Sequence, residues 1–417
     1  MVHHTTNSSN ASAARASSTI HHMLRVPVSG AAAVKASILS GSILLTACMA
    51  LPPVPVPAPP TTTVPPLVAD PPAPDGPVHS VERPRAVWVP TAWQDLPGFD
   101  ADPLRAAWPA LLAGCARPAR GWADVCARVL LEPPTDDAGV RNFLQAWLQP
   151  FAVRSLDGRE QGLITGYYEP FIEARRQRDA RHTTPLYALP AALQDRREPW
   201  FTRRQMQSAA PAQAALAGRE IAWVADPLDA LVLQIQGSGR LRITETDGRA
   251  ATVRLAYAGH NGHAYRSVGR WLIEQGELTA DSASWPAIKA WARTNPQRLD
   301  EMLWANPRVV FFKEEPLPDP EAGPRGAMGV PLTPGRSIAV DPQSIPYGAW
   351  VWLDTTEPLS ATPLQRLVTA QDTGSAIVGA VRADFFWGWG EVAEAQAGRM
   401  KQPLRMWVLW PRGQAPG

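Results

Sequence analysis

Charge of one sign is what this chain has least of: 40 Lys and Arg against 38 Asp and Glu leave a net charge of +2, too small for strong binding to a polyanion such as a nucleic acid. Cysteine is scarce, at three residues. Neither Cys115 nor Cys126 has a His or second acid nearby in the chain to activate it, which argues against thiol catalysis. Metal-ligand spacing is missing too. His260 and His263 have no Glu between them and no Cys or carboxylate at ligand spacing, so no metal is expected there. Gly237-Ser238-Gly239 is followed by neither Lys-Ser/Thr nor a helix start, which sets aside a phosphate cradle. There is one Asp-Thr-Gly turn, Asp372-Thr373-Gly374, where an aspartic protease needs two that share a proton.

Proline is abundant, at 44 residues, and marks the boundaries. Met1–His22 is polar, without apolar periodicity, and is given no fold. From Met23 the parts of a secretory signal appear: Arg25 and Lys35, the apolar run Ala36–Leu45, then Leu45-Thr46-Ala47-Cys48. That run is too short to span a bilayer. Leu45–Cys48 resembles a lipobox in which Cys48 is lipidated, and the absence of Asp at Met49 points to the periplasmic face of the outer membrane. Pro52–Pro77 alternates Pro with Val, Ala and Thr and reads as a polyproline II stalk. With Cys48 lipidated, Cys115 and Cys126 are an even pair in an oxidising compartment; a disulfide and two buried thiols both remain open.

Helical spacing follows in Leu104–Leu112, Gly121–Leu131 and Val140–Phe151, the last with Asp136 and Asp137 as cap candidates. Gly162–Glu169 reads as a strand ending at a cleft, with Tyr167 and Tyr168 as stacking surfaces for sugars. Glu169 is either a candidate acid or a solvated strand end. Leu231–Gln236 is expected as a strand with Gln234 and Gln236 on one face, and Gly237–Gly239 lets backbone approach a ligand. Asp247-Gly248 predicts a hairpin between 241–246 and 250–255. Tyr257–Arg266 is a polar, aromatic loop opening a helix near Ser267.

Short strands recur to the end of the chain: Ser337–Val340, Trp350–Leu353, Leu367–Ala370, Ala380–Arg382 and Leu404–Leu409, the pattern of a small barrel. Asp341, Asp372 and Asp384 fall at strand ends or turns. A carboxylate beside Gly and large rings is poorly hydrated, and its pKa rises toward values useful for donating a proton. Ordinary turn chemistry is the competing explanation. The 17 tryptophans suit either sugar stacking or simple burial.

TGYYEP, QIQGSGR, YAGHNGHAYRSVG, NPRVVFFK and the pair AVDPQSIPYG and AQDTGSAIVGAVRADFFWG, in this order behind a lipobox, resemble the membrane-bound lytic murein transglycosylase A family from about Trp93 to Trp410. The resemblance implies a mainly β protein with packing helices: a double-psi β-barrel (79–170 and 323–417) and a smaller inserted β domain (171–322), with a groove between them for a glycan strand. Residues 1–48 are then the extension and lipoprotein signal, and 49–78 the linker. It implies cleavage of the β-1,4 bond from N-acetylmuramic acid to N-acetylglucosamine in peptidoglycan, leaving 1,6-anhydromuramic ends. Asp384 is then the acid/base, with Asp372 and Asp341 in support and no metal or cofactor. Candidate substrate contacts are Thr165, Tyr167, Tyr168, Gln236, Gly237, Ser238, Gly239, His260, Asn261 and Tyr265. The expected partners are glycan strands and, through Cys48, a membrane. A two-aspartate hydrolase and a non-catalytic glycan-binding lipoprotein are the alternatives.

Overall fold

A computed structural model describes residues 78–415; the expected secretory signal, Cys48 and the Pro52–Pro77 stretch lie outside the described residues. The strands in chain order are β1 (Val81–Glu82), β2 (Val87–Pro90), β3 (Leu148–Arg154), β4 (Gly162–Glu169), β5 (Phe171–Arg175), β6 (Thr184–Tyr187), β7 (Glu220–Val224) and β8 (Gly239–Thr244). They continue with β9 (Ala250–His260), β10 (Val310–Pro316), β11 (Ser337–Val340), β12 (Trp350–Thr356), β13 (Pro363–Asp372), β14 (Arg382–Trp389) and β15 (Lys401–Pro411). They form two sheets. The first runs β1-β2-β3-β15-β12-β13-β11-β14-β4 and closes through a further β15–β4 pairing into a six-stranded barrel; the second runs β10-β9-β8-β5-β7-β6.

Closure depends on the length of β15. Its first residues, Lys401–Leu404, pair with β4, and its last, Trp407–Pro411, pair with β3 on the same edge. Two pairings in this sheet are parallel, β11 with β13 and β14 with β4. Trp350–Leu353 of β12 is fully buried, with Trp122 and Phe143 against Trp350 and Phe99 against Trp352. Trp122 lies 4.9 Å from Trp350 and 5.7 Å from Trp410 between ring centroids. Burial therefore accounts for these indoles. Arg336 and Asp102 add a buried two-pronged ion pair at 2.7 and 2.9 Å, and Asp102 also accepts the Leu367 N–H.

Three expectations change. The last of the helices expected around the barrel, Val140–Phe151, runs from Asp137 to Trp147, and β3 begins at Leu148. Asp136 caps it, accepting the Gly139 N–H at 2.7 Å. Pro150 lacks the helical donor, and pairing with β15 takes the remaining residues. Leu231–Gln236 is helix, not strand: Pro227–Gln236 starts on an Asp226 cap with Pro in its first turn and ends on left-handed Gly237 at φ 83°. Six residues mixing Leu, Val and Ile with two Gln do not separate a strand from a buried helix by periodicity, and the decisive signals lay on either side of them. Finally, the strand near Ala380 starts later, at Arg382, so the aromatic run is itself the strand. The hairpin about Asp247-Gly248 and the helix capped by Ser267 stand as expected.

Cys115 and Cys126 form a disulfide between the helices Trp108–Cys115 and Ala123–Leu131, which decides between the two thiol states left open. Closing this 11-residue separation restricts the unfolded chain, and Cys115→Ala/Cys126→Ala is expected to lower unfolding free energy by about 3 kcal/mol. Urea denaturation of the two proteins measures it; equal midpoints would show that the bridge adds nothing.

Candidate active site

β14 lies between β11 and β4, and on it Asp384 pairs with Ala339 on one side and Thr165 on the other. That register puts the Thr165 hydroxyl against the acid, and Oγ1 donates to Asp384 Oδ1 at 2.5 Å. Arg382 Nη2 donates to the same Thr165 oxygen at 2.9 Å. A hydroxyl has one proton, so with Arg382 on a lone pair that proton is directed at Asp384. Oδ2 is left as the oxygen to carry and deliver an acidic proton. Burial raises the Asp384 pKa to about 6, against the opposing pull of the Thr165 hydrogen bond and the Arg382 charge and with a further upward push from Asp372.

Asp372 closes β13 at the same cleft. Its Oδ2 accepts the Tyr167 hydroxyl at 3.0 Å and its Oδ1 the Ala327 N–H at 2.9 Å. Gly326 permits the second contact, since a Cβ there would stand 2.4 Å from the Gln371 carbonyl oxygen. Burial pushes the Asp372 pKa up, while the Ala327 and Thr373 N–H groups and Tyr167 favour the carboxylate. Burial, Asp372 and Asp384 together push the Tyr167 phenol upward, so it stays a neutral donor. The two acids share a cleft of about 610 Å³ between the two sheets.

Two family models match, the MltA specific insert domain over residues 163–313 and the 3D domain over residues 336–410. Membrane-bound lytic murein transglycosylase A of Escherichia coli K12 is 33% identical over 277 residues, 64% of this chain and 71% of the relative. The chain belongs to the membrane-bound lytic murein transglycosylase A family. The Vibrio cholerae member is 34% identical over 60% of this chain and 67% of its own length. Among solved structures, MltA from Neisseria gonorrhoeae superposes with a TM-score of 0.70 at 31% identity, covering 84% of this chain and 98% of that one. The lytic transglycosylase LtgG of Burkholderia pseudomallei is 46% identical, with a TM-score of 0.55 over 82% of this chain and 100% of its own. E. coli MltA with bound chitohexaose gives 0.59 at 27% identity, over 82% and 95%.

Membership in the transglycosylase A family leaves the residues to be placed one by one. Tyr167, Tyr168, Gln236, Gly237, Ser238 and Tyr265 line the cleft with Asp372 and Asp384. Gln236 also ties helix to barrel, its Oε1 accepting the Tyr168 N–H at 3.0 Å. Other candidates serve the fold. Asn261 is fully buried and clamps three chain segments, donating to the Phe201 and Pro307 carbonyls and accepting the Val309 N–H. His260 accepts the Gly262 N–H within its own loop. Gly239 is buried where a Cβ would meet Leu233 at 2.2 Å, so it is a packing glycine. Asp341 sits one residue past β11, held by Arg85 at 2.9 Å and the Gly379 N–H at 2.8 Å, outside the cleft lining.

Glu169 is neither a free acid nor a solvated strand end. It is fully buried, with Arg240 Nε at 2.8 Å and Arg254 Nε at 2.5 Å from its carboxylate oxygens. Sequence reading missed those two arginines, together with Arg382, Arg85 and Tyr257, which is half exposed at the cleft. Arg240 and Arg382 stand inside motifs already singled out, but only the folded register shows what they face.

Proposed function

We infer that this lytic transglycosylase cleaves the β-1,4 bond between N-acetylmuramic acid and N-acetylglucosamine in peptidoglycan without water, with Asp384 as its single acid/base. The observation that carries this reading is the Asp384 carboxyl at the cleft, tied at Oδ1 and with its pKa raised to about 6. Protonated Asp384 donates to the glycosidic oxygen as positive charge grows on the muramyl ring. Asp372 favours that charge in its carboxylate form, which the Ala327 and Thr373 N–H groups and Tyr167 support against the upward push of burial. The Asp384 carboxylate then takes the proton of the muramyl C6 hydroxyl, which attacks its own C1 and closes the 1,6-anhydro ring. An attached nucleophile replaces activated water, so a second catalytic carboxylate is unnecessary.

On this reading residues 79–170 and 323–417 are the catalytic barrel and 171–322 the insert that walls the cleft. Tyr167, Tyr168, Tyr265 and the turn Gly237-Ser238 contact the strand. The same proposal makes residues 1–48 a lipoprotein signal with Cys48 lipidated, 49–78 a stalk, and the periplasmic face of the outer membrane the location; the support is the Leu45–Cys48 motif and the apolar run before it. Among the described residues no helix is long and apolar enough to cross a membrane.

Digestion of purified sacculi, followed by mass spectrometry, tests the reaction. Muropeptides ending in 1,6-anhydromuramic acid are expected; reducing ends carrying one added water would mean a hydrolase. Because the acid form of Asp384 does the work, the rate falls as pH rises through about 6. Thr165→Val removes a hydrogen bond that favours the carboxylate, so the alkaline limb should move up by about one pH unit. A limb that stays in place in that variant would assign the titration to another group.

A further inference from the structure

The cleft has a second wall that the acid chemistry leaves unused. Opposed residues of an antiparallel pair share a face, and β9 and β10 oppose Arg254 to Glu315 and Ala256 to Lys313. Arg254 reaches Glu169 of the barrel, so this face of the pair looks toward the barrel. Beyond Arg254 it opens into the cleft. Lys313 and Glu315 line it, with Arg308 from just before β10 and Arg325 from the segment that returns to the barrel. Two cations, Arg308 and Lys313, thus stand beside one acid on this wall, and Arg325 adds a third from the loop whose Ala327 N–H holds Asp372.

These cations are placed for exchange. The Lys313 amine meets Glu315 at 2.7 Å with its side chain 59% exposed, and such a surface pair is worth about 0–1 kcal/mol, so an incoming carboxylate displaces it at small cost. Arg308 Nη1 donates to the His263 carbonyl at 3.3 Å, and a guanidinium has five N–H donors in a fork that fits a carboxylate. Half-exposed Tyr257 lies beside them on the same cleft. A β-1,4 glycan of N-acetylglucosamine alone carries no charge. A muramyl strand carries carboxylates, either the lactyl group of a peptide-free residue or those of a stem peptide.

We propose that Arg308 and Lys313 on this wall, with Arg325 on the neighbouring loop of the same cleft, form a carboxylate-reading site that distinguishes muramyl strands from neutral glycans of the same linkage. This rests on the glycan-cleaving reading of the cleft. Its test uses the full chain in detergent with Asp384→Asn throughout, to hold ligands uncleaved, and compares Arg308→Gln/Lys313→Gln and Arg325→Gln with their parent. Dissociation constants are measured for peptide-free murein strands, peptide-bearing strands and chitohexaose. The double variant should weaken murein binding by about tenfold and Arg325→Gln by less, both leaving chitohexaose unchanged, and Arg308→Lys, which keeps the charge without the fork, should retain only part of the affinity. Loss confined to peptide-bearing strands assigns the wall to the stem; loss on peptide-free strands assigns it to the lactyl carboxylate. Equal loss on murein and chitohexaose, loss on chitohexaose alone, or no loss on either murein form overturns the proposal. Failure of the transglycosylase reading would show separately, as wild-type digests without anhydro ends.

Discussion

Asp384→Asn is expected to slow anhydromuropeptide release by about 10³-fold or more, with binding to sacculi retained. Asparagine keeps the size of the side chain and a carbonyl oxygen to accept the Thr165 proton, so the local packing survives. What it lacks is a proton it can give up and recover. Asp372 is poorly placed to take over, because Tyr167 and the Ala327 N–H occupy its two oxygens. Asp372→Asn should therefore cost much less, and it should leave a signature. Removing a neighbouring negative charge lowers the Asp384 pKa, so the alkaline limb of the rate profile moves down, opposite to the effect of Thr165→Val. Substantial release from the Asp384 variant, or an Asp372 variant equally dead, would move the acid role elsewhere.

The largest effect on stability is expected at Glu169. Its carboxylate holds Arg240 and Arg254, and these in turn donate to the carbonyls of Pro320 and Ala322, while the Arg240 guanidinium lies 3.9 Å from the Trp389 ring centroid. Glu169→Ala leaves two buried guanidinium charges facing each other and should cost about 3–5 kcal/mol. Replacing the whole set, Glu169→Leu/Arg240→Met/Arg254→Met, removes the charges together and should recover most of that loss. Chemical denaturation of the three proteins reads both effects. An alanine variant as stable as wild type would show that the arginines find water or other partners when the acid is gone.

Legibility in the sequence followed the range of the interactions. The barrel strands, the Asp247-Gly248 hairpin and the Ser267 cap are set by neighbours within a few residues, and their patterns show in the chain. The helix Pro227–Gln236 was misread because its apolar core is ambiguous alone, although Asp226, Pro227 and Gly237 were all in view. Asp372 and Asp384 stood out because a carboxylate beside glycine or large apolar rings is poorly hydrated. What was not legible depends on register between distant strands. Thr165 faces Asp384 across a parallel pair 219 residues apart in the chain, Arg85 reaches Asp341 across 256, and Glu169 collects arginines 71 and 85 residues downstream. Motif membership marked Asn261 and Gly239 as contacts, yet burial gives both of them to the fold.

The chain leaves the barrel at the end of β4 and returns just beyond Ala322, and the Glu169 cluster ties both crossings together at one point. A domain entered from the end of β4 and left through the segment after β10, tied together at the base, behaves like a graft on a rootstock. Its outer strands and loops can lengthen, shorten or change charge while the six strands that fix Asp384 keep their register. A change in the insert would therefore reshape the wall it gives the cleft and leave the proton-transfer machinery on β14 and β4 untouched.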